Sequence, residues 1–170
     1  MKLRPYKKED AEKIVSWIHD EVSFRKWCAD RFEKYPITAE DMNYKYIDCN
    51  GDCDGSGIFF PLTATVGDEI VGHLFLRYLD EEKTLVRIGF VIIDDTKRGM
   101  GYGRQMIELA VQYAKDKLNA KRITLGVFEN NPSAYKCYKA AGFTEDLSRG
   151  PRNFETLGEI WKCLEMVFTR

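Results

Sequence analysis

The sequence predicts an α/β (α+β) fold, with one mixed, largely antiparallel twisted sheet of about seven strands and helices on both of its faces. The first observation behind this prediction is that apolar residues change from helical to alternating spacing near residue 58. The second is a strongly apolar segment at 85–93, followed by an amphipathic helix and another short apolar segment, which is the order of a strand–helix–strand unit. A chain of 170 residues can bury a core of its own, so we expect a single domain over 1–170.

The N-terminal third of the chain is predicted to be mainly helical after a short first strand at 2–6. A helix should begin at Glu9 or Asp10. Thr38, with Asp41 three residues later, predicts the N-cap of another helix. Between them lie two apolar series at helical spacing, the second of which ends at a proline: Ala11, Ile14, Val15 and Ile18, then Phe24, Trp27, Cys28 and Phe32.

Three strands are predicted next, over 58–66, 70–79 and 85–93. A Gly-Asp-Glu turn at 67–69 separates the first two and predicts a hairpin. The third is almost continuously apolar and rich in β-branched residues, which predicts a central strand buried on both faces.

The C-terminal half is predicted to alternate helices and strands. A helix over 101–118 precedes a strand over 122–127. A second helix over 131–141 has Pro132 in its first turn and Gly142 as its C-cap. Two final strands are expected from Phe143 onward and over 159–168.

Composition argues against several classes of partner. The net charge is −1, so no overall charge bias indicates a nucleic acid or a membrane surface. No apolar segment reaches the length of a membrane span, and the first residues lack the apolar core of a signal peptide. The five cysteines are dispersed, which is typical of reduced thiols. We therefore expect a cytoplasmic protein with no nucleic-acid or membrane partner.

A glycine-rich turn after the buried strand predicts an anion site. Glycines at 99, 101 and 103 open the helix that follows, and the first amides of a helix have no intrahelical partner. A phosphate can approach glycine backbone closely, and Arg98 and Arg104 add positive charge. The Rossmann pattern Gly-x-Gly-x-x-Gly does not match, because Arg104 occupies the position of its last glycine. The Gly-Lys-Ser/Thr sequence of a P-loop is not present either.

A second motif follows the next strand, and the two together carry a family resemblance. Arg98-x-x-Gly101-x-Gly103 resembles the acetyl-CoA signature of the GNAT superfamily of N-acetyltransferases. The resemblance is closest in pattern to the subgroup of ribosomal-protein N-terminal acetyltransferases. The second motif is similar to another pattern of that superfamily, Asn-x-x-Ala-x-x-x-Tyr-x-x-x-Gly-Phe. The residues that match it are Asn131, Ala134, Tyr138, Gly142 and Phe143.

This resemblance implies an acyl-CoA N-acyltransferase fold with acetyl-CoA as co-substrate and no metal. It implies that strand 85–93 carries a β-bulge and splays from strand 122–127, so that pantetheine adds to its free backbone. The implied cofactor-binding residues are Val91, Ile92, Ile93, Arg98, Gly99, Met100, Gly101, Tyr102, Gly103, Arg104, Asn131 and Tyr138. Asn131 could alternatively serve only as a helix N-cap, or it could both cap the helix and bind the cofactor. Tyr138 could alternatively be only a core aromatic.

The implied reaction is direct attack of a primary amine on the thioester within a ternary complex. Tyr138 would be the general acid that protonates the departing thiolate, and a backbone N–H near Val91 could stabilise the oxyanion. Many members of the superfamily carry a Glu on the matching strand, but this chain has no acid between Thr84 and Ile93. Glu129 is therefore a candidate base, with Asp94, Asp95 or an ordered water chain as alternatives.

The acceptor is not specified by these motifs. It is a small molecule or a protein N-terminus, and the protein is a monomer or a homodimer. A non-catalytic acetyl-CoA sensor on the same fold is the alternative function. The Asp- and Gly-rich segment at 48–57 imitates a calcium loop, but its twelfth position is Pro61, which has no carboxylate. We therefore interpret this segment as an acidic loop near the acceptor entrance.

Overall fold

The computed structural model describes residues 1–47 and 57–170. Its strands form one sheet in the order β1-β2-β3-β4-β5-β8-β6, and β7 pairs with β8. All neighbouring strands are antiparallel except β4 and β5, which run parallel. The strands are β1 (Lys2–Pro5), β2 (Phe59–Val66), β3 (Glu69–Tyr78), β4 (Leu85–Ile93), β5 (Arg122–Phe128), β6 (Phe143–Glu145), β7 (Arg152–Thr156) and β8 (Glu159–Phe168). The helices are α1 (Asp10–Val15), α2 (Glu21–Cys28), α3 (Ala39–Lys45), α4 (Tyr102–Asp116) and α5 (Pro132–Ala140).

Helices cover both faces of the sheet, and this confirms the predicted fold class. The apolar side chains of α4 and α5 join one core cluster, and those of α1, α2 and α3 join another on the opposite face. The predicted N-cap at Thr38 is confirmed, because its hydroxyl accepts from Asp41 N while Asp41 accepts in return from Thr38 N. Helix α2 ends before Phe32, because Ala29 adopts a left-handed φ of 54°.

The prediction that β4 is buried on both faces along its length is wrong in detail. Its residues alternate between buried and partly buried, and a register shift interrupts its pairing with β3 between Gly89 and Ile92. The side chains of Val86 and Ile88 pack on the α4 side, whereas those of Phe90 and Ile92 pack on the α2 side. An inserted residue reverses which side chains face each core. The strand therefore has two segments, each with its buried side chains on one face, and together they make the sequence continuously apolar.

Strand β7 was not predicted. It forms a hairpin with β8, in which Arg152 pairs with Cys163 and Thr156 with Glu159. The sequence of β7 is Arg-Asn-Phe-Glu-Thr, which is too polar to indicate a strand by alternation. Its pairing with β8 therefore decides its structure.

A buried histidine lies between the sheet and the N-terminal helices. The His73 side chain is completely buried, and its Nε2 lies 2.9 Å from the hydroxyl of Tyr46. Its Nδ1 has no hydrogen-bond partner in the described part of the chain. Burial lowers the pKa of His73 to about 3, although the charge of Asp10 acts in the opposite direction. The imidazole is therefore neutral at physiological pH.

No helix within residues 1–47 and 57–170 is both long and apolar enough to cross a membrane. Over the same residues, no three His, Cys, Asp or Glu side chains lie together as metal ligands. Cys28, Cys137 and Cys163 are free thiols. The loop predicted at 48–57 lies outside the described residues except for Gly57.

Candidate active site

The centre of the candidate site is a gap between the two parallel strands. Strands β4 and β5 pair only from Leu85 with Arg122 to Ile88 with Leu125. Beyond that point β4 continues to Ile93 and β5 to Phe128 without pairing to each other. This register agrees with the splay that the family resemblance implies, and it leaves backbone groups of β4 free to bind a ligand.

The bulge in β4 lies at the start of this gap. Phe90 has a φ of 51°, and the register leaves Phe90 and Val91 without partners on β3. The indole Nε1 of Trp27 donates to the Phe90 carbonyl at 2.8 Å. This hydrogen bond gives a partner to a carbonyl that the bulge removes from the β3–β4 ladder. Helix α2 therefore fixes the bulge, while Val91 and Ile93 lie partly buried on the α4 side.

The predicted anion turn forms the entrance to α4. Gly99 and Gly101 have φ values of 79° and 81°, and both occupy the left-handed region that favours glycine. The first hydrogen bond of the helix runs from Gln105 N to Gly101 O at 3.1 Å. The amides of residues 101–104 precede this bond, so the helix itself gives them no acceptor.

The third glycine of the turn has a different role. A Cβ at Gly103 would lie 3.2 Å from Cys137 Sγ, so this position allows α4 to pack closely on α5. Arg98 and Met100 are exposed, and Tyr102 is partly buried against the core. Arg104 Nε donates to Glu108 Oε1 at 2.8 Å, which sets its guanidinium along the first turn of α4.

Asn131 is the N-cap of α5. Its Oδ1 accepts from Ala134 N at 3.3 Å and from Ser133 Oγ at 3.1 Å. The predicted N-cap role of Asn131 is therefore confirmed, and its role in binding the cofactor stays a prediction. Both bonds use the side-chain oxygen, so the amide NH2 is the group with which Asn131 would donate to a ligand.

Tyr138 lies on the buried face of α5. Only 7% of the residue is exposed, and no described residue forms a hydrogen bond with its hydroxyl. Burial raises the pKa of Tyr138 well above its usual value, and the thiols of Cys137 and Cys163 act in the same direction. The phenol therefore stays protonated at neutral pH, as a proton donor must.

The candidate bases differ in their surroundings. Glu129 is exposed just after β5. The Asp94 carboxylate is buried, accepts from Thr96 N and Oγ1, and lies 3.6 Å from Lys13 Nζ. Asp95 pairs with His19 at 3.1 Å. Of these acids, Glu129 alone has no side-chain hydrogen bond or ion pair with the described residues.

A cavity of about 170 Å³ opens on the α2 side of the gap. Gly89 and Phe90 of β4, Gly126 and Phe128 of β5, and Trp27 of α2 contribute to its wall. The charge of this cavity was not predicted from the sequence. The available signal was an arginine within the apolar strand at 85–93. Six cationic side chains line the cavity: Lys26, Arg31, Lys45, Arg77, Arg87 and Arg152.

Comparison with known proteins agrees with these features. Residues 21–143 match the model of the acetyltransferase (GNAT) family. A spermine/spermidine N(1)-acetyltransferase of Bacillus subtilis strain 168 is 34% identical over 100 residues, which are 56% of this chain and 66% of that protein. A probable spermine N(1)-acetyltransferase of Bacillus subtilis subsp. natto shows the same values. The chain therefore spans slightly less than two thirds of these relatives.

Solved structures share the fold over almost the whole chain. The spermidine N-acetyltransferase of Vibrio cholerae, in complex with CoA and spermine, has a TM-score of 0.77 at 20% identity and covers 98% of this chain and 94% of its own. AAC(6')-Ib, in complex with ribostamycin and coenzyme A, has a TM-score of 0.74 at 18% identity, with 99% and 92% covered. The subgroup of ribosomal-protein acetyltransferases stays a prediction. From the family match, the two motifs and the divergent strands, we conclude that this chain belongs to the GNAT family of acetyltransferases.

Proposed function

We propose that this protein transfers the acetyl group of acetyl-CoA to a primary amine by direct attack within a ternary complex. The observation that carries the proposal is the end of β4–β5 pairing at Ile88, together with the left-handed glycine turn at the start of α4. The gap offers unpaired backbone to the extended pantetheine arm. The free amides of the turn and the dipole of α4 favour the pyrophosphate.

Different residues would bind the cofactor and transfer protons. The backbone of β4 at 91–93 would bind pantetheine, and the turn from Arg98 to Arg104 would bind the pyrophosphate. Asn131 would donate its amide NH2 to the cofactor arm. Tyr138 would donate its proton to the departing thiolate, and Glu129 would accept a proton from the amine, directly or through water. No covalent enzyme intermediate is required.

The relatives suggest one class of acceptor. Two of them are named for acetylation of spermine or spermidine, so a polyamine is a candidate acceptor for this chain. A cytoplasmic location and a monomeric or dimeric state stay predictions.

The proposed function is tested by cofactor binding and by turnover. Acetyl-CoA should raise the melting temperature, because a ligand that binds only the folded state stabilises it. A free-thiol assay with acetyl-CoA and a panel of amines and peptides should detect CoA release. Glu129→Gln should lower kcat/KM most near neutral pH, where the carboxylate is ionised and the amine must still lose a proton, and least at alkaline pH, where the amine is already neutral. Tight acetyl-CoA binding with no acetylation of any amine would instead support a non-catalytic sensor.

Substitution of Gly101 should weaken cofactor binding. Gly101→Ala places a Cβ on a residue with a φ of 81°, which costs about 1–2 kcal/mol in the left-handed region. Relaxation of that strain would turn the amides of residues 101–104 away from the pyrophosphate. We expect the Kd for acetyl-CoA to rise about tenfold, measured by calorimetry.

The matched control for this substitution is Gly150→Ala. Gly150 has no left-handed φ, and no atom lies within 4 Å of a Cβ built there. The control should bind acetyl-CoA as the parent does. An unchanged Kd in Gly101→Ala would show that the turn does not bind the cofactor.

A further inference from the structure

The cavity on the α2 side of the gap has an excess of positive charge. Its six cationic side chains come from α2, the segment after it, α3 and three strands of the sheet. No acidic side chain of residues 1–47 or 57–170 lines it. Arg31, Lys45 and Arg152 are exposed, and Arg31 pairs with Asp30 at 3.7 Å. Arg77 and Arg87 are more buried, so the repulsion between their like charges is less screened by solvent.

One buried acid balances part of this charge from behind the cavity wall. Glu165 of β8 accepts from Arg87 Nη1 at 2.6 Å and from Arg152 Nε at 2.8 Å. A Cβ at Gly126 would lie 2.5 Å from Arg87 Nη2. The glycine therefore lets the guanidinium of Arg87 reach over β5 to its acid. Two arginines share one carboxylate, and this leaves the cluster positive.

No acid within residues 1–47 or 57–170 forms an ion pair with Arg77. Arg77 is half-buried and lies directly opposite Arg87 in the β3–β4 register, a placement that is unfavourable for like charges. Its Nε is buried with no hydrogen-bond partner in the described part of the chain. Burial lowers the pKa of Arg77, and the charges of Arg31, Arg87 and Arg152 add to this effect. An arginine can satisfy its donors only with an acceptor.

We propose that this cavity is the acceptor site and that Arg77 binds an anionic group, a carboxylate or a phosphate, carried by the amine substrate. The inference rests on the proposed function, because it takes the reacting amine to lie at the β4–β5 gap. Arginine suits both anions, since its planar donors match two oxygens. An amine that bears such a group would offer Arg77 the acceptor that the described residues do not supply.

The register limits the spacing between the two groups of this substrate. Arg77 pairs with Arg87, and Gly89 lies two residues further along β4 toward the gap. At about 3.3 Å per residue, the backbone of Arg77 lies roughly 7 Å along the strand direction from the level of Gly89. A short aliphatic chain between the amine and the anion spans such a distance.

The same charges disfavour a polyamine in this cavity. A wider groove beside it carries Glu33, Glu40 and Asp41 and shares Arg31 and Lys45 with it. That groove does not reach Gly89 or Gly126. A polyamine would therefore meet described acids only in the outer groove, and cations at the gap.

The first test compares acceptors that differ only at one end. δ-Aminovalerate, pentylamine and cadaverine carry a carboxylate, a methyl group and a second amine on chains of equal carbon number. We expect kcat/KM for δ-aminovalerate to exceed that for pentylamine about tenfold or more, with cadaverine lowest, because charge-assisted hydrogen bonds give this discrimination. Phosphoethanolamine against ethanolamine gives the same comparison for phosphate.

The second test removes the charge of Arg77. Arg77→Gln should abolish the preference for δ-aminovalerate over pentylamine and leave the KM for acetyl-CoA unchanged. Arg77→Lys should retain part of the preference, because it keeps the charge but not the paired donors. A preference for cadaverine or spermidine in the parent protein, or an undiminished anion preference in Arg77→Gln, would overturn the proposal.

Binding measurements separate this inference from the proposed function. Calorimetry with δ-aminovalerate and pentylamine on the CoA-loaded protein reports on the cavity without turnover. If no amine is acetylated but δ-aminovalerate binds through Arg77, the transferase proposal fails and the anion site stands. If pentylamine is acetylated and binds as well as δ-aminovalerate, the transferase stands and the anion site fails.

Discussion

Tyr138→Phe is expected to lower kcat for amine acetylation by about 100-fold or more, which is the usual contribution of a general acid. The Kd for acetyl-CoA should change less than about twofold, because the substitution removes one hydroxyl and keeps the packed ring. No described residue forms a hydrogen bond with that hydroxyl, so its loss leaves no protein partner unsatisfied. Single-turnover kinetics and calorimetry measure the two effects separately.

The surroundings of Tyr138 define what kind of acid it can be. Burial raises its pKa, so the phenol is protonated across the pH range of the assay. The same burial makes a phenolate costly. A strong hydrogen bond to the developing thiolate is therefore favoured over early, complete proton transfer. Because the phenol stays protonated, its ionisation should not cause kcat to fall at alkaline pH.

Tyr135 supplies a matched control on the same helix. Its hydroxyl donates to Glu145 at 2.6 Å on the protein surface, so Tyr135→Phe should keep full turnover. Equal kcat values for Tyr138→Phe and the parent would remove Tyr138 as the acid. A large rise in the Kd for acetyl-CoA with an unchanged kcat would assign it to cofactor binding instead.

Acidification from pH 7 to pH 5 is expected to lower the free energy of unfolding by about 2 kcal/mol through His73 alone. The folded-state pKa is about 3, whereas an unfolded histidine has a pKa of about 6.5. Between these values the unfolded chain binds a proton that the folded chain does not. Stability therefore falls as pH drops through 6.5, at about 1.4 kcal/mol per pH unit.

Urea unfolding at pH 7, 6 and 5 measures this slope. His73→Gln should flatten it, because glutamine can still reach Tyr46 but does not titrate. His19→Gln is the matched substitution at an exposed histidine. The lowered pKa values of Asp10 and Glu165 affect stability at more acidic pH, as the pH falls through about 4, the usual pKa of an unfolded carboxyl group. Equal slopes in His73→Gln and the parent would contradict the assignment.

Local sequence patterns were sufficient where short-range geometry decides the structure. Thr38 with Asp41 predicts a capping box because both hydrogen bonds lie within one turn. The glycine-rich turn at the start of α4 was also predicted, because the turn and the helix that it opens are consecutive in the chain. The bounds of β4 also agree with its apolar segment.

The rest depends on contacts between distant residues. The pairing of Arg77 with Arg87 and the reach of Arg87 to Glu165 depend on strand register, which single-sequence patterns do not fix. The charge of the cavity was missed for the same reason, because its six cations are scattered from position 26 to 152. Strand β7 shows the same limit, since its partner and not its composition makes it a strand.

The ion pair between Arg87 and Glu165 has a consequence for how the cofactor enters. It links β4 to β8 across β5, one residue before the β4–β5 pairing ends at Ile88. Side chains thus join the strands at the apex of their divergence. Because β4 and β5 do not pair beyond Ile88, a ligand that adds to β4 has no strand pairing to break there, which limits the free energy lost on binding.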